Sequence, residues 1–207
     1  MGFDLDLTLA DTRAGIAAAF DLLAERLGVP IDSAAVVSRL GPPLEEELAY
    51  WLPAARIAEA AAFYRQIYRD IAVPLTRPMA GAAQALGAVR RAGGRVIVVT
   101  GKNEADARRT IRFLGWDVDE VAGSVFGAEK GVALMDFGAA VYVGDHVKDI
   151  DAARAGGAVS VTVATGPYTA VELRDHGSDV VLADLTVFAD WYDAWRIREI
   201  EGDSTVT

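Results

Sequence analysis

The 207-residue chain contains no cysteine. That absence excludes disulfides, thiolate catalysis and cysteine-based zinc sites together. It fits a reducing compartment, and a cytoplasmic location is the expectation. Positive charge is also scarce: 20 Lys and Arg stand against 30 Asp and Glu, for a formal net charge of −10. Nucleic-acid binding usually leaves a basic footprint, and none is visible, so no nucleic-acid partner is expected. No stretch is long and apolar enough to span a bilayer, and the N-terminus does not read as a signal peptide, so no membrane partner is expected either. Small anionic substrates survive this screen, because local charge can oppose global charge and a metal ion would help.

About half of the residues are apolar, enough for a sizeable core. Short valine-rich runs stand out: "RVIVVTG" at 95–101, "AAVYVGD" at 139–145, "AVSVTVATG" at 158–166 and the weaker "SDVVLAD" at 178–184. Runs of this kind suit strands buried on both faces, as in a parallel sheet. Helical patterns separate them over Ala80–Ala92, Glu104–Leu114, Lys130–Phe137 and Val147–Ala155. Between about Arg13 and Leu75 there is no such strand run; instead "AGIAAAFDLLAERLG" and "AARIAEAAAFYRQIYRDI" read as helices, with a stiff "RLGPPLEEEL" segment between them. The fold class predicted is α/β: a three-layer, Rossmann-like parallel sheet core with an inserted all-helical cap. The domains predicted are a core of residues 1–12 and 77–207 and a cap of residues 13–76. The tail "REIEGDSTVT" reads as frayed.

Ligands of open α/β sheets bind beyond the carboxyl ends of the strands, so the residues ending each run matter most. The first run ends in Asp4-Leu5-Asp6-Leu7-Thr8, the next in Thr100-Gly101-Lys102, and a later one in Gly144-Asp145, with Asp149 four residues on. Lys130 follows "VFGAE" at the start of another helical pattern. Carboxylates, a hydroxyl and an ammonium group would then share one edge. Such a set suits phosphoryl chemistry around a hard, oxygen-liganded cation, Mg²⁺ in the first place. One aspartate would attack phosphorus and another would protonate the leaving oxygen. Each element alone has a plainer reading. Asp-x-Asp occurs in turns, Thr8, Asp11 and Thr12 could cap a helix, and Thr100 could begin one. Their placement at successive strand ends favours the chemical reading.

"DLDLTLADT", "VIVVTGKN", "GAEKG" and "YVGDHVKDIDAARAGG" resemble the four motifs of the haloacid dehalogenase-like hydrolases, in the phosphoglycolate phosphatase-like branch with an early helical cap. The resemblance implies Asp4 as nucleophile, Asp6 as general acid and base, Thr100 and Lys130 on the phosphate, and Asp4, Asp6, Asp145 and Asp149 around Mg²⁺. Lys102 competes with Lys130 for the phosphate. Dehalogenase members usually lack the second aspartate and need no metal, so Asp6 with Asp145 favours a phosphatase. The chain departs from the pattern at Leu7, where the family usually has glycine, and at Gly131, where proline often follows the lysine. It departs again in the brevity of the first strand, and at His146, where a small residue is common. A structural role is preferred for His146 over proton transfer; His176 reads as an exposed turn residue.

In the resembling family, cap residues select the leaving group. Arg39 in "RLGPPL" could meet a second anionic group, or it could be a surface arginine of the preceding helix. The glutamates at 45–47 fit a helix start. The function predicted is Mg²⁺-dependent hydrolysis of a small phosphomonoester, phosphoglycolate-like, through an aspartyl-phosphate, by a monomer or homodimer. The alternatives are a sugar-phosphate mutase, a metal-independent 2-haloacid dehalogenase and a non-catalytic regulatory protein on the same fold.

Overall fold

Valine, isoleucine and tyrosine dominate the segments that pair into the main sheet, and their alternation divides the core into two layers. The computed structural model describes the backbone of residues 1–203 and the side chains of residues 1–198. Strand β1 (Gly2–Phe3) is followed by β2 (Ala10–Asp11), then by helices α1 (Arg13–Leu27), α2 (Ser33–Ser38), α3 (Leu44–Leu48) and α4 (Ala54–Ile71). The chain returns through β3 (Arg77–Pro78) and α5 (Ala82–Arg91). It then alternates: β4 (Ile97–Val99), α6 (Glu104–Phe113), β5 (Glu120–Ala122), α7 (Ala128–Asp136), β6 (Val141–Gly144), α8 (Val147–Ala155), β7 (Val159–Val163), α9 (Ala170–Asp175), β8 (Val180–Leu182) and α10 (Phe188–Asp203).

Six strands form one parallel sheet in the order β5-β4-β1-β6-β7-β8. The shortest of them lies at its centre: Gly2 pairs with Ile97 and Tyr142, and Phe3 with Val98 and Val143. Because side chains alternate across a strand, Phe3, Val98, Val141 and Val143 pack with residues of α5, α6 and α10 on one face. Ile97, Val99 and Tyr142 pack with Leu134 of α7 and Ala152 and Ala153 of α8 on the other. Gly131 lets α7 lie directly on α8, since a side chain there would strike Ala155; this explains why the residue after Lys130 is glycine here.

The inserted helices have their own apolar cluster, built on Ile16, Phe20, Leu23, Leu48, Tyr64 and Tyr68. Gly28, left-handed at φ 63°, ends α1. The two chain crossings between this block and the sheet run side by side, with Ala10 paired to Pro78 and Asp11 to Arg77 in an antiparallel ladder.

Strand β5, the pair β2 and β3 and the helices α2, α9 and α10 are not among the elements expected from the sequence. The tail expected to fray differs as well: α10 continues through Asp203, while residues 204–207 lie outside the described residues.

Candidate active site

In a parallel sheet every carboxyl end faces one edge, and consecutive β-α-β connections that leave the central strand in opposite directions open a crevice there. Here β4 and β6 flank β1. Asp4 follows β1, Thr100 follows β4 and Asp145 follows β6, so all three arrive at that crevice and all three are buried.

Asp4, Asp145 and Asp149 each place a carboxylate oxygen within 4.8 Å of the others. Lys130, the third residue of α7, reaches into this group. Its Nζ lies 3.1 Å from Asp4 Oδ1 and 2.7 Å from Asp149 Oδ1. Asp149 is held further by the His146 backbone N–H at 3.1 Å and by the Tyr142 hydroxyl at 3.3 Å. Thr8 donates to Asp145 Oδ1 at 2.7 Å. Two glycines leave room for this crowding: a side chain at Gly144 would collide with Asp149, and one at Gly166 with Asp145.

Burial, the largest influence, pushes the Asp4 carboxyl up to about 6, against the pull of Lys130 and with the help of the Asp149 and Asp6 charges. Burial, and then the charges of Asp4 and Asp149, hold Asp145 well above the usual carboxylate range. Burial works against the charge of Lys130, yet Asp149 and Asp4 outweigh it and leave the ammonium above its ordinary pKa. Three buried carboxyl groups thus share one lysine, and carrying all three negative charges together is unfavourable without a further cation.

Asp6 points elsewhere. Its Oδ1 accepts from the Thr12 hydroxyl at 2.7 Å, and its Oδ2 lies 3.1 Å from Lys102 Nζ. Lys102 in turn sits over the Tyr68 ring, 4.6 Å from the centroid. The carboxylate of Asp6 is thus outside the three-carboxylate group where it was expected as a metal ligand, and Lys102 pairs with Asp6 while Lys130 is shared by Asp4 and Asp149. Thr8 and Thr12, which could have been plain capping residues, instead hold Asp145 and Asp6; Thr12 precedes α1 without capping it by its side chain.

Leu7 joins these two arms of the site. It adopts the left-handed conformation at φ 59°, the region glycine favours. Its N–H donates to the Ala10 carbonyl at 2.8 Å, and its own carbonyl accepts from Thr165 Oγ1 at 2.6 Å. The turn, where the resemblance implies glycine, is therefore made here with leucine, held at both ends.

A cavity of about 300 Å³ lies between the helical block and this edge, lined by Asp4, Asp6, Thr100, Lys102, Lys130, Asp145 and Asp149 below and by Phe20, Leu40, Tyr64 and Tyr68 above. Arg39 also lines it but is already engaged: Glu47 takes its guanidinium at 2.6 Å, and the group stacks over Tyr50, 4.8 Å from the ring centroid. His146 caps α8, its Nδ1 accepting from the Lys148 N–H at 3.0 Å, and meets Tyr168 edge-on. This is the structural role preferred for it. His176 ends α9 and contacts Asp151 at 3.0 Å on the surface.

The donor set fits Mg²⁺: three buried carboxyl groups converge from two strand ends and one helix, and hard cations take oxygen ligands. Asp4, Asp145 and Asp149 are the residues whose side chains would hold it.

Comparison with known proteins agrees with this architecture. Residues 2–123 match the family described as haloacid dehalogenase-like hydrolase, and residues 128–188 match a second family description, HAD-hydrolase-like. The chain belongs to the haloacid dehalogenase-like hydrolases. Among curated proteins it is 30% identical to the tyrosine-protein kinase PtkA of Mycobacterium tuberculosis, over 93% of this chain and 70% of that one. It is 31% identical to a phosphoglycolate phosphatase of Rhodospirillum rubrum, over 91% of this chain and 88% of that one. Among solved structures, a haloacid dehalogenase-like hydrolase from Streptococcus pneumoniae superposes with a TM-score of 0.80 at 25% identity, covering 92% of this chain and 96% of that one. No helix among the described residues is long and apolar enough to cross a membrane.

Proposed function

We propose that the protein is a Mg²⁺-dependent phosphomonoester hydrolase that works through an aspartyl-phosphate on Asp4. The observation that carries this reading is the pairing of two carboxylates with two different lysines on one cavity: Asp4 with Lys130 and Asp6 with Lys102. It separates a nucleophile from a proton carrier. The relatives' names, a kinase and a phosphatase, have in common the transfer of a phosphoryl group, and that common step is the one proposed.

Asp4 attacks phosphorus, the ester P–O bond breaks, and Asp6 gives its proton to the leaving oxygen. In the second half Asp6 takes a proton from water as that water attacks the phosphoryl group, releasing phosphate and restoring Asp4. Lys130 offsets the charge of Asp4 as the phosphate approaches, and Thr100 offers its hydroxyl to a nonbridging oxygen. Thr12 and Lys102 keep Asp6 aimed into the cavity. When bound, Mg²⁺ would supply the remaining positive charge that lets an anionic nucleophile meet an anionic ester.

The test is phosphate release from a panel of phosphomonoesters with and without Mg²⁺, for the wild type and Asp4→Asn. Turnover that requires both Mg²⁺ and Asp4 is expected. Undiminished steady-state hydrolysis by Asp4→Asn would overturn the assignment, and metal-free halide release from 2-haloacids would favour a dehalogenase instead.

A further inference from the structure

The part of the cavity that would receive the leaving group lies under the helical block, and its charge is already balanced. Arg39 and Arg65 are the block's two cations on the cavity wall. Glu47 holds the first at 2.6 Å and Glu45 holds the second at 2.6 Å. The first pair is fixed further, because the Trp51 Nε1–H donates to Glu47 Oε1 at 2.9 Å and the guanidinium stacks on Tyr50. On the floor, Lys102 is committed to Asp6 and Asp106 to Arg109. Among the described residues, every lysine and arginine on the wall of this cavity thus already has a carboxylate partner. What else lines the space is mostly apolar, Ile16, Phe20, Leu40, Leu44 and the rings of Tyr64 and Phe126, with the uncharged or weakly basic Asn103, Ser124 and His146 on the loops that follow the strands.

A substrate with a carboxylate on its leaving group would bring a second anion beside Glu47 and Glu45, where the described cations are already taken, and an unpaired charge in such surroundings is costly. An apolar leaving group meets no such cost and gains from burial. The cavity volume, about 300 Å³, is at the small end for ligand pockets. From this geometry we infer that the leaving group is a small, uncharged alcohol with an apolar or aromatic body, and that the Arg39–Glu47 pair excludes phosphorylated carboxylates. This rests on the phosphomonoesterase reading above and departs from the phosphoglycolate-like substrate that the resemblance implies.

The experiment compares kcat/KM, with Mg²⁺, on benzyl phosphate, phosphoglycolate and phosphoethanolamine, whose leaving groups are neutral, anionic and cationic. The wild type is expected to favour benzyl phosphate over phosphoglycolate by about tenfold or more, mostly through KM. Glu47→Gln releases Arg39 and should raise kcat/KM on phosphoglycolate while leaving benzyl phosphate no better. Leu40→Arg adds an unpartnered cation to the same wall by another route, should Glu47→Gln fail to fold. A wild type that prefers phosphoglycolate or phosphoethanolamine would overturn the inference while leaving the hydrolase intact. A preference for benzyl phosphate that neither variant narrows would overturn the charge argument. Phosphate release from none of the three would count against the hydrolase and the inference together.

Discussion

Lys102 Nζ stands 3.1 Å from Asp6 Oδ2, and beneath it the Tyr68 ring belongs to the helical block rather than to the sheet. Burial works against the lysine's charge, yet Asp6, Tyr68 and Tyr64 outweigh it and raise its pKa above the ordinary value. The ammonium therefore stays charged and keeps Asp6 oriented. Lys102→Met should lower kcat by about 100-fold through misplacement of Asp6. Lys102→Arg should recover part of that loss, because charge and reach are kept. Thermal melting of both variants is the control, since a collapsed fold would mimic the effect.

Lys130 has a heavier structural duty. It is buried against Asp4 and Asp149, so Lys130→Met leaves two buried carboxylates without their cation. Breaking such a pair costs about 3–5 kcal/mol. Urea denaturation should report a loss of that order in the absence of Mg²⁺. Added Mg²⁺ should restore part of it by binding the native carboxylates, while turnover stays abolished.

The raised pKa of Asp4 makes a signed prediction. Its carboxyl is at about 6 in the folded, metal-free protein against 3.8 for the free side chain. The folded state thus binds this proton more tightly than the unfolded state. The contribution of Asp4 to stability is greatest below the lower value, falls as pH rises between the two, and levels off above the higher one. Asp145 shifts in the same direction. A bound divalent cation removes that penalty. The rise in melting temperature on adding Mg²⁺ should therefore be larger at about pH 7.5 than at about pH 5, as differential scanning fluorimetry can measure.

Leu7 invites the substitution to glycine. Two terms oppose each other: relief of the left-handed backbone is worth about 1–2 kcal/mol, and loss of a buried leucine costs about 1.5–3 kcal/mol, with glycine's extra unfolded-state freedom added. Leu7 is 4% exposed, so the burial term applies almost in full. Leu7→Gly should lower stability by about 1 kcal/mol despite restoring the residue usual in the family. A higher urea midpoint for the variant would show that backbone strain dominates.

Most of the sheet and the helices α1 and α4–α8 were legible because their signals are long or repeated; the 16-residue α10 was not read from the sequence. The runs "VIVV" and "VYVG" are apolar almost throughout and need no alternation to be found, and α4 coincides with its quoted segment. Strand β5 escaped because it has three residues, begins with Glu120 and lies at the sheet edge. The β2–β3 pair has two residues in each strand, too few for any period. In the site, strand ends announced Asp4, Thr100 and Asp145, and α8 carried Asp149 to them. Of their partners, Lys130 was expected beside Asp4 only through the resemblance, and Thr8 beside Asp145 was not expected at all. Thr8 meets Asp145 across 137 positions of sequence, and Lys130 meets Asp4 across 126. Only the folded sheet sets such distances. The Arg39–Glu47 pair was hidden for a different reason: each residue had a sufficient local explanation, and only their contact changes what the cavity can accept.

The position of β1 has a consequence for how the molecule is made. Phe3 completes its ladder only when Val98 and Val143 are present, so the first of the six strands to be synthesised waits until β4 and β6 have both been made. The helical block's apolar cluster, by contrast, is assembled from residues within 16–73. On a ribosome that block can collapse while Phe3, Leu5 and Leu9 still lack their neighbours. Loop closure over such separations is slow, and this short greasy stretch is one that a nascent-chain chaperone would find uncovered.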